Sequence, residues 1–103
     1  MILHIASFSW KDDVTAEDVV ALTEALVTMA SKIPSLRSYV CGENLRLRPG
    51  GADYAVAAIV DDADGLAAYL DSPAHLAVYE SHLGRMIAER SAAQLPLVEG
   101  VLT

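Results

Sequence analysis

The segment ILHIASFSW, residues 2–10, alternates with a period of two. Ile2, His4, Ala6, Phe8 and Trp10 fall on one side, and Leu3, Ile5, Ser7 and Ser9 on the other. Successive side chains of a strand point to opposite faces, so the pattern predicts a β-strand with His4 on its more apolar face. KDDVT follows as a turn. Thr15 with Asp18 three residues on resembles a capping box, Asp standing where Glu or Gln is usual. Val19, Leu22, Leu26, Met29, Ala30 and Ile33 then recur at helical spacing, and Pro34 should stop that helix near Lys32.

LRSYVCGENLRL, residues 36–47, reads as a second strand with an irregularity at Gly42. RPGGAD is a turn signal. DYAVAAIVDD, residues 53–62, reads as a third strand paired with the second in a hairpin. DDADGLAAYL, residues 61–70, starts a helix whose early acids suit the positive end of the dipole. Ser72 and Pro73 restart the helix, serine as N-cap and proline as first helical residue. Leu76, Tyr79, Leu83, Met86 and Ile87 are expected to form its buried stripe. AQLPLVEGVLT, residues 93–103, is expected to be a last strand, and Pro96 points to a sheet edge.

The order βαββαβ predicts a ferredoxin-like α+β sandwich over residues 1–103 as a single domain. One four-stranded antiparallel sheet would carry helices on one face. The other face would be apolar, which predicts a homodimer packed through the sheet face.

The net charge is −7, from 14 acids and 7 bases. The bases are scattered, and the densest cluster, LRLRPGG, holds two arginines. That is too little to neutralise a phosphate backbone, so no nucleic-acid partner is expected. No apolar run is long enough to cross a bilayer, and MILHIASFSW lacks a basic leader, so a cytoplasmic protein is expected. The lone Cys41 excludes an internal disulfide and reads as a buried, inert thiol. His75 and His82 lie seven apart, a spacing that does not clasp zinc, so no metal is expected and His82 should be exposed.

The chemistry centres on AYLDSPAHLAVY, residues 68–79. With Ser72 as N-cap, His75 is the third helical residue, where backbone N–H groups and the dipole are positive. A positive surrounding lowers a histidine pKa and leaves a neutral imidazole, the form a general base needs. Tyr69 can donate its hydroxyl to a carbonyl oxygen. Together the pair could enolise a β-dicarbonyl compound, His75 taking the α-proton and Tyr69 holding the oxyanion. His4, Tyr39 and Tyr54 would orient the substrate, and Phe8, Leu22, Leu26, Tyr79 and Met86 would wall the pocket. The plainer alternative is a packed tyrosine, a cap-region histidine and a core His4.

HIASFSWKDDVT, KIPSLRSYVCGEN, ADYAVAAIVDD and AYLDSPAH resemble segments of the stress-responsive A/B barrel domain family, in the expected order from about residue 2 to 99. The most specific element is Y-x-x-x-P-x-H, here Tyr69, Pro73 and His75; the second is the -IPS-…-GEN- pattern around Pro34 and Gly42. The resemblance implies a dimeric α+β barrel. Cyclase-type members, olivetolic acid cyclase among them, close a linear polyketide thioester by an aldol-type step without a cofactor. Likeness to these members implies catalytic roles for Tyr69 and His75 and a pocket role for His4. Two departures imply a different substrate: Tyr54 stands where many members have a histidine, and Leu22 and Leu26 replace aromatic residues of the first helix. The expected function is cofactor-free enolisation, with cyclisation or isomerisation, of a polyketide-like β-dicarbonyl compound. The alternative is a ligand-binding or stress-response dimer without catalysis.

Overall fold

The computed structural model describes residues 1–98. They form β1 (Ile2–Trp10), α1 (Ala16–Ala30), β2 (Leu36–Glu43), β3 (Tyr54–Val60), α2 (Ala63–Leu70), α3 (Pro73–Val78) and β4 (Ile87–Pro96). Strands run in the order β2-β3-β1-β4, and every neighbouring pair is antiparallel. This is the ferredoxin-like α+β fold that the order of elements predicts.

Strand pairing decides which side chains meet the helices, because residues directly opposite each other share a face. His4 stands opposite Ala58 and Gln94, and Ala58 opposite Tyr39. Phe8 stands opposite Tyr54 and Arg90. These residues, with Ala6 and Val56, lie on the inner face. Leu3, Ile5, Ala57, Ile59, Val40 and Leu95 lie on the outer one.

The box that starts α1 has both arms. The Asp18 N–H donates to Thr15 Oγ1 at 3.1 Å, and the Thr15 N–H donates to Asp18 Oδ2 at 3.0 Å. From that start the apolar spacing turns Val19, Leu22, Leu26 and Met29 onto the sheet, where all four are buried.

Four expectations need correction. β2 ends at Glu43 rather than at residue 47. The Asn44 N–H donates to the Asp53 carbonyl, the Asn44 amide donates to the Ala52 carbonyl, and Arg46 takes a left-handed φ of 55° that turns the chain away. The irregularity in β2 falls between Leu36 and Ser38, while Gly42 pairs regularly with Ala55. β4 starts at Ile87, because β1 offers it partners as far as Trp10 and the Lys11 N–H donates to the Met86 carbonyl at 2.9 Å. As expected for a strand bearing Pro96, β4 is an edge, but residues 99–103 of the predicted strand lie outside the described residues.

The fourth correction concerns the helical stripe. After α3 the chain widens into a π-helical turn, Tyr79–Leu83, and then a short α-turn, Gly84–Met86. This shifts the helical phase, so Val78, Leu83 and Met86 are buried whereas Leu76 and Tyr79 remain about half exposed. Ile87 belongs to β4 rather than to the helix. The Gly84 N–H donates to the Tyr79 carbonyl, and a Cβ on Gly84 would lie only 3.1 Å from that oxygen. Glycine therefore suits the π-turn at this point.

Leu22 is fully buried in the core. Leu22→Ala should lower unfolding free energy by about 3 kcal/mol, the usual cost of a buried leucine and its cavity. Urea denaturation measures this, and a loss near zero would show that the site repacks.

Candidate functional site

A cavity of about 260 Å³ opens between the inner sheet face and the helices. The sheet contributes His4, Phe8, Tyr39 and Arg90 to its wall. The helical side contributes Leu26, Tyr69, Leu70, His75 and the half-exposed Leu76 and Tyr79.

Seven of the ten sequence-predicted residues thus converge: His75, Tyr69, His4, Phe8, Leu26, Tyr39 and Tyr79. Leu22, Tyr54 and Met86 do not line the cavity. Each is fully buried in the core. Tyr54 sits opposite Phe8, near Trp10, and shares a 2.7 Å hydrogen bond with the Thr23 hydroxyl on α1. Leu22 lies one turn before Leu26, and the Met86 carbonyl is tied to Lys11 next to Trp10. All three therefore pack towards the far end of the core.

Local capping places the central pair. The Asp62 carboxylate accepts from the Gly65 N–H at 2.8 Å and starts α2, which carries Tyr69 in its last turn. The Ser72 hydroxyl accepts from the His75 N–H at 3.1 Å and starts α3, so His75 is the third helical residue, as expected. Tyr69 is buried at the centre of three edge-on contacts. Its ring centroid is 5.1 Å from that of His75, 6.1 Å from that of His4 and 6.2 Å from that of Tyr39.

The polar atoms differ in how they are satisfied. His4 Nδ1 lies 2.9 Å from Gln94 Nε2. With the amide nitrogen facing it, Nδ1 accepts and the ring proton sits on Nε2. His75 Nδ1 and Tyr39 Oη are buried and make no well-formed hydrogen bond among the described residues, although the Leu70 carbonyl lies near His75 and the Tyr69 hydroxyl near Tyr39. Unpaired buried polar atoms are uncommon and call for an explanation, for which a ligand is one candidate.

The His75 pKa is lowered, and burial is the largest cause. The nearby Leu70 carbonyl opposes this, Arg90 adds to it, and Asp71 opposes it. The direction matches the sequence expectation, but the leading cause is desolvation rather than the helix end. His4 is also lowered, by burial first and then by Arg90 and His75. Burial raises Tyr69, against the effects of Tyr39 and Arg90, and it raises Tyr39 as well. Both phenols therefore remain proton donors at neutral pH, beside an uncharged imidazole.

Sequence reading missed Arg90 and Gln94. Starting the last strand at residue 93 left Arg90 without a face. Once β4 runs from Ile87, period two puts Arg90, Ala92 and Gln94 on the inner side. His82, expected to be exposed, is half-buried with an unpartnered Nδ1. It belongs to the π-helical turn, whose altered phase draws it inward. Among the described residues, no three His, Cys, Asp or Glu side chains gather as a metal site would need. No helix among them is long and apolar enough to cross a membrane.

The stress responsive A/B barrel domain pattern matches residues 2–95. An uncharacterised protein of Streptomyces coelicolor is 39% identical over 79 residues, which span 75% of this chain and 81% of that protein. A dimeric ferredoxin-like protein of unknown function from Thermobifida fusca superposes with a TM-score of 0.87 at 41% identity, covering 93% of this chain and 90% of that one. The hydroxynitrile lyase of Passiflora edulis shares the fold, with a TM-score of 0.80 at 13% identity over 95% of this chain and 94% of its own. A family pattern spanning nearly the whole described chain, together with two relatives near 40% identity, shows that the protein belongs to the stress responsive A/B barrel domain family.

Proposed function

We propose that the protein is a cofactor-free acid/base enzyme that enolises a small, polyketide-like β-dicarbonyl compound. The observation that carries this reading is the Tyr69–His75 pair, 5.1 Å apart on the wall of an apolar cavity. The neutral His75 imidazole takes a proton from the carbon between two carbonyls. The C–H electron pair moves into the adjacent carbon–carbon bond, the carbonyl π pair moves onto oxygen, and the Tyr69 hydroxyl donates a hydrogen bond to that oxyanion. Return of the proton to the enolate oxygen instead of the carbon gives the enol tautomer. Where the substrate carries a further carbonyl beyond this pair, attack of the enolate carbon on it closes a ring, and the imidazolium then protonates the new alkoxide.

The cavity, at about 260 Å³, lies just below the range of about 300–1,000 Å³ usual for small-molecule sites, which favours a compact substrate. At the level of architecture alone, the Passiflora edulis hydroxynitrile lyase places an enzyme on this fold.

The working form is proposed to be a homodimer joined through the outer sheet face. Leu3, Ile5, Ala57 and Ile59 lie together there beside Val40, which is 64% exposed. The relatives from Thermobifida fusca and Bacteroides fragilis are described as dimeric.

Exchange of the central methylene protons of acetylacetone for deuterium, followed by NMR, tests the chemistry without knowledge of the natural substrate. His75→Ala should slow catalysed exchange by about 10²–10⁴-fold. Tyr69→Phe should slow it by about 10²–10³-fold. Both variants should keep the wild-type urea midpoint closely, and an undiminished rate in His75→Ala would remove the general base from the scheme.

Because uncharged His75 is the active form and its pKa is lowered, the rate should be level around neutrality. It should fall only as the pH drops through a value below about 6.5. A rate that rises on acidification would contradict the assignment.

Ile5→Lys, which places a charge at the middle of the outer face, should give a monomer in light scattering. A dimer that survives this change would place the interface elsewhere.

A further inference from the structure

The cavity has one charged wall residue. Among its lining residues Arg90 alone carries a full charge at neutral pH, and no aspartate or glutamate accompanies it. Of the other four arginines, Arg37 pairs with Asp61, Arg46 with Asp53 and Arg85 with Asp18, while Arg48 lies away from the cavity and donates only to the Leu47 carbonyl. Arg90 has no carboxylate partner among the described residues. Arg90 is exposed at the rim of the cavity, where its donors face water, and a guanidinium offers a planar fork of donors that a carboxylate entering the cavity could take up in place of that water.

The position is specific. Arg90 sits opposite Phe8 on the inner face of an edge strand, two residues before Ala92 and four before Gln94, which holds His4. The site therefore has three chemically distinct parts: a cation on β4, the Tyr69–His75 pair on the helices, and hydrocarbon between and around them from Phe8, Leu26 and Leu83. The charge of Arg90 also acts on His4, His75 and Tyr69, which places it within electrostatic reach of the reacting groups.

We infer that Arg90 is a specificity-determining residue that selects substrates bearing a carboxylate away from the enolisable dicarbonyl, that is, dioxo carboxylates rather than their neutral esters. The inference rests on the enolisation reading for the dicarbonyl part and on Arg90 alone for the anionic part. The carboxylate anchors one end of the molecule, and the carbon between the two carbonyls then lies at His75.

Succinylacetone and its methyl ester separate the two parts, since both carry the same dicarbonyl and only the first is an anion. Calorimetric titration of the wild-type protein should show the acid bound at least about tenfold more tightly than the ester, the usual scale for a charged hydrogen-bonded pair. Arg90→Met should reduce the acid to the ester's affinity and leave the ester unchanged. Added salt should weaken only the acid, and the urea midpoint of the variant should match that of the wild type.

Equal affinities in the wild-type protein, a preference that survives Arg90→Met, or no saturable binding of either compound would each overturn the inference. Deuterium exchange of the methylene protons, measured on the same samples, reports on the acid/base reading separately. A strong preference for the acid without catalysed exchange would support the anion site and remove the enolisation. Catalysed exchange of acid and ester with equal efficiency would keep the enolisation and remove the role of Arg90.

Discussion

The site depends on one hydrogen bond and the break that it stabilises. The Ser72 hydroxyl accepts from the His75 N–H, and Pro73 follows as the first residue of a new helix. In an unbroken helix Tyr69 and His75, six residues apart, would lie about 120° apart around the axis and about 9 Å apart along it. Their rings could not share a wall from those positions. The break re-aims α3 relative to α2, and the rings come to 5.1 Å. Everything proposed for the pair follows from that change of direction.

Burial then decides what the two rings can do. Tyr69 is packed among His4, Tyr39 and His75, and each of these groups lies where charge is costly. Desolvation lowers both histidines and raises both tyrosines, so the cluster holds neutral acceptors beside protonated donors. Arg90 acts in the same direction on the histidines, since a cation opposes the formation of another nearby. The helix N-terminus invoked from sequence sets the position of His75, whereas the loss of water sets its charge.

Most of the architecture was legible because its signals are local. Alternation in residues 2–10, the Thr15–Asp18 box and the Ser72–Pro73 pair each report on a few neighbouring residues, and the structure has β1, α1 and α3 where these signals lie. The resemblance at Tyr69, Pro73 and His75 supplied the functional emphasis. Errors gathered where long-range partners decide. The length of β4 depends on what β1 offers eighty residues earlier in the chain, and the end of β2 depends on Asn44 meeting Asp53 and Ala52 across the hairpin. Tyr54, Leu22 and Met86 are apolar or aromatic on the inner side, like true wall residues. Only packing separates a core filler from a cavity wall.

By itself, the amino-acid sequence determined the strand faces, the helix starts and the break between Tyr69 and His75, because period, caps and proline act over a single turn or pleat. It therefore determined which way His4 points. The tertiary structure alone decided that β4 begins early enough to bring Arg90 onto the inner face of the sheet, and that a π-turn leaves Tyr79 at the cavity mouth. It also decided that His75 is largely withdrawn from solvent, with its Nδ1 buried. Those outcomes depend on strand register and close packing between distant segments, and no short stretch of residues contains the partner that fixes them.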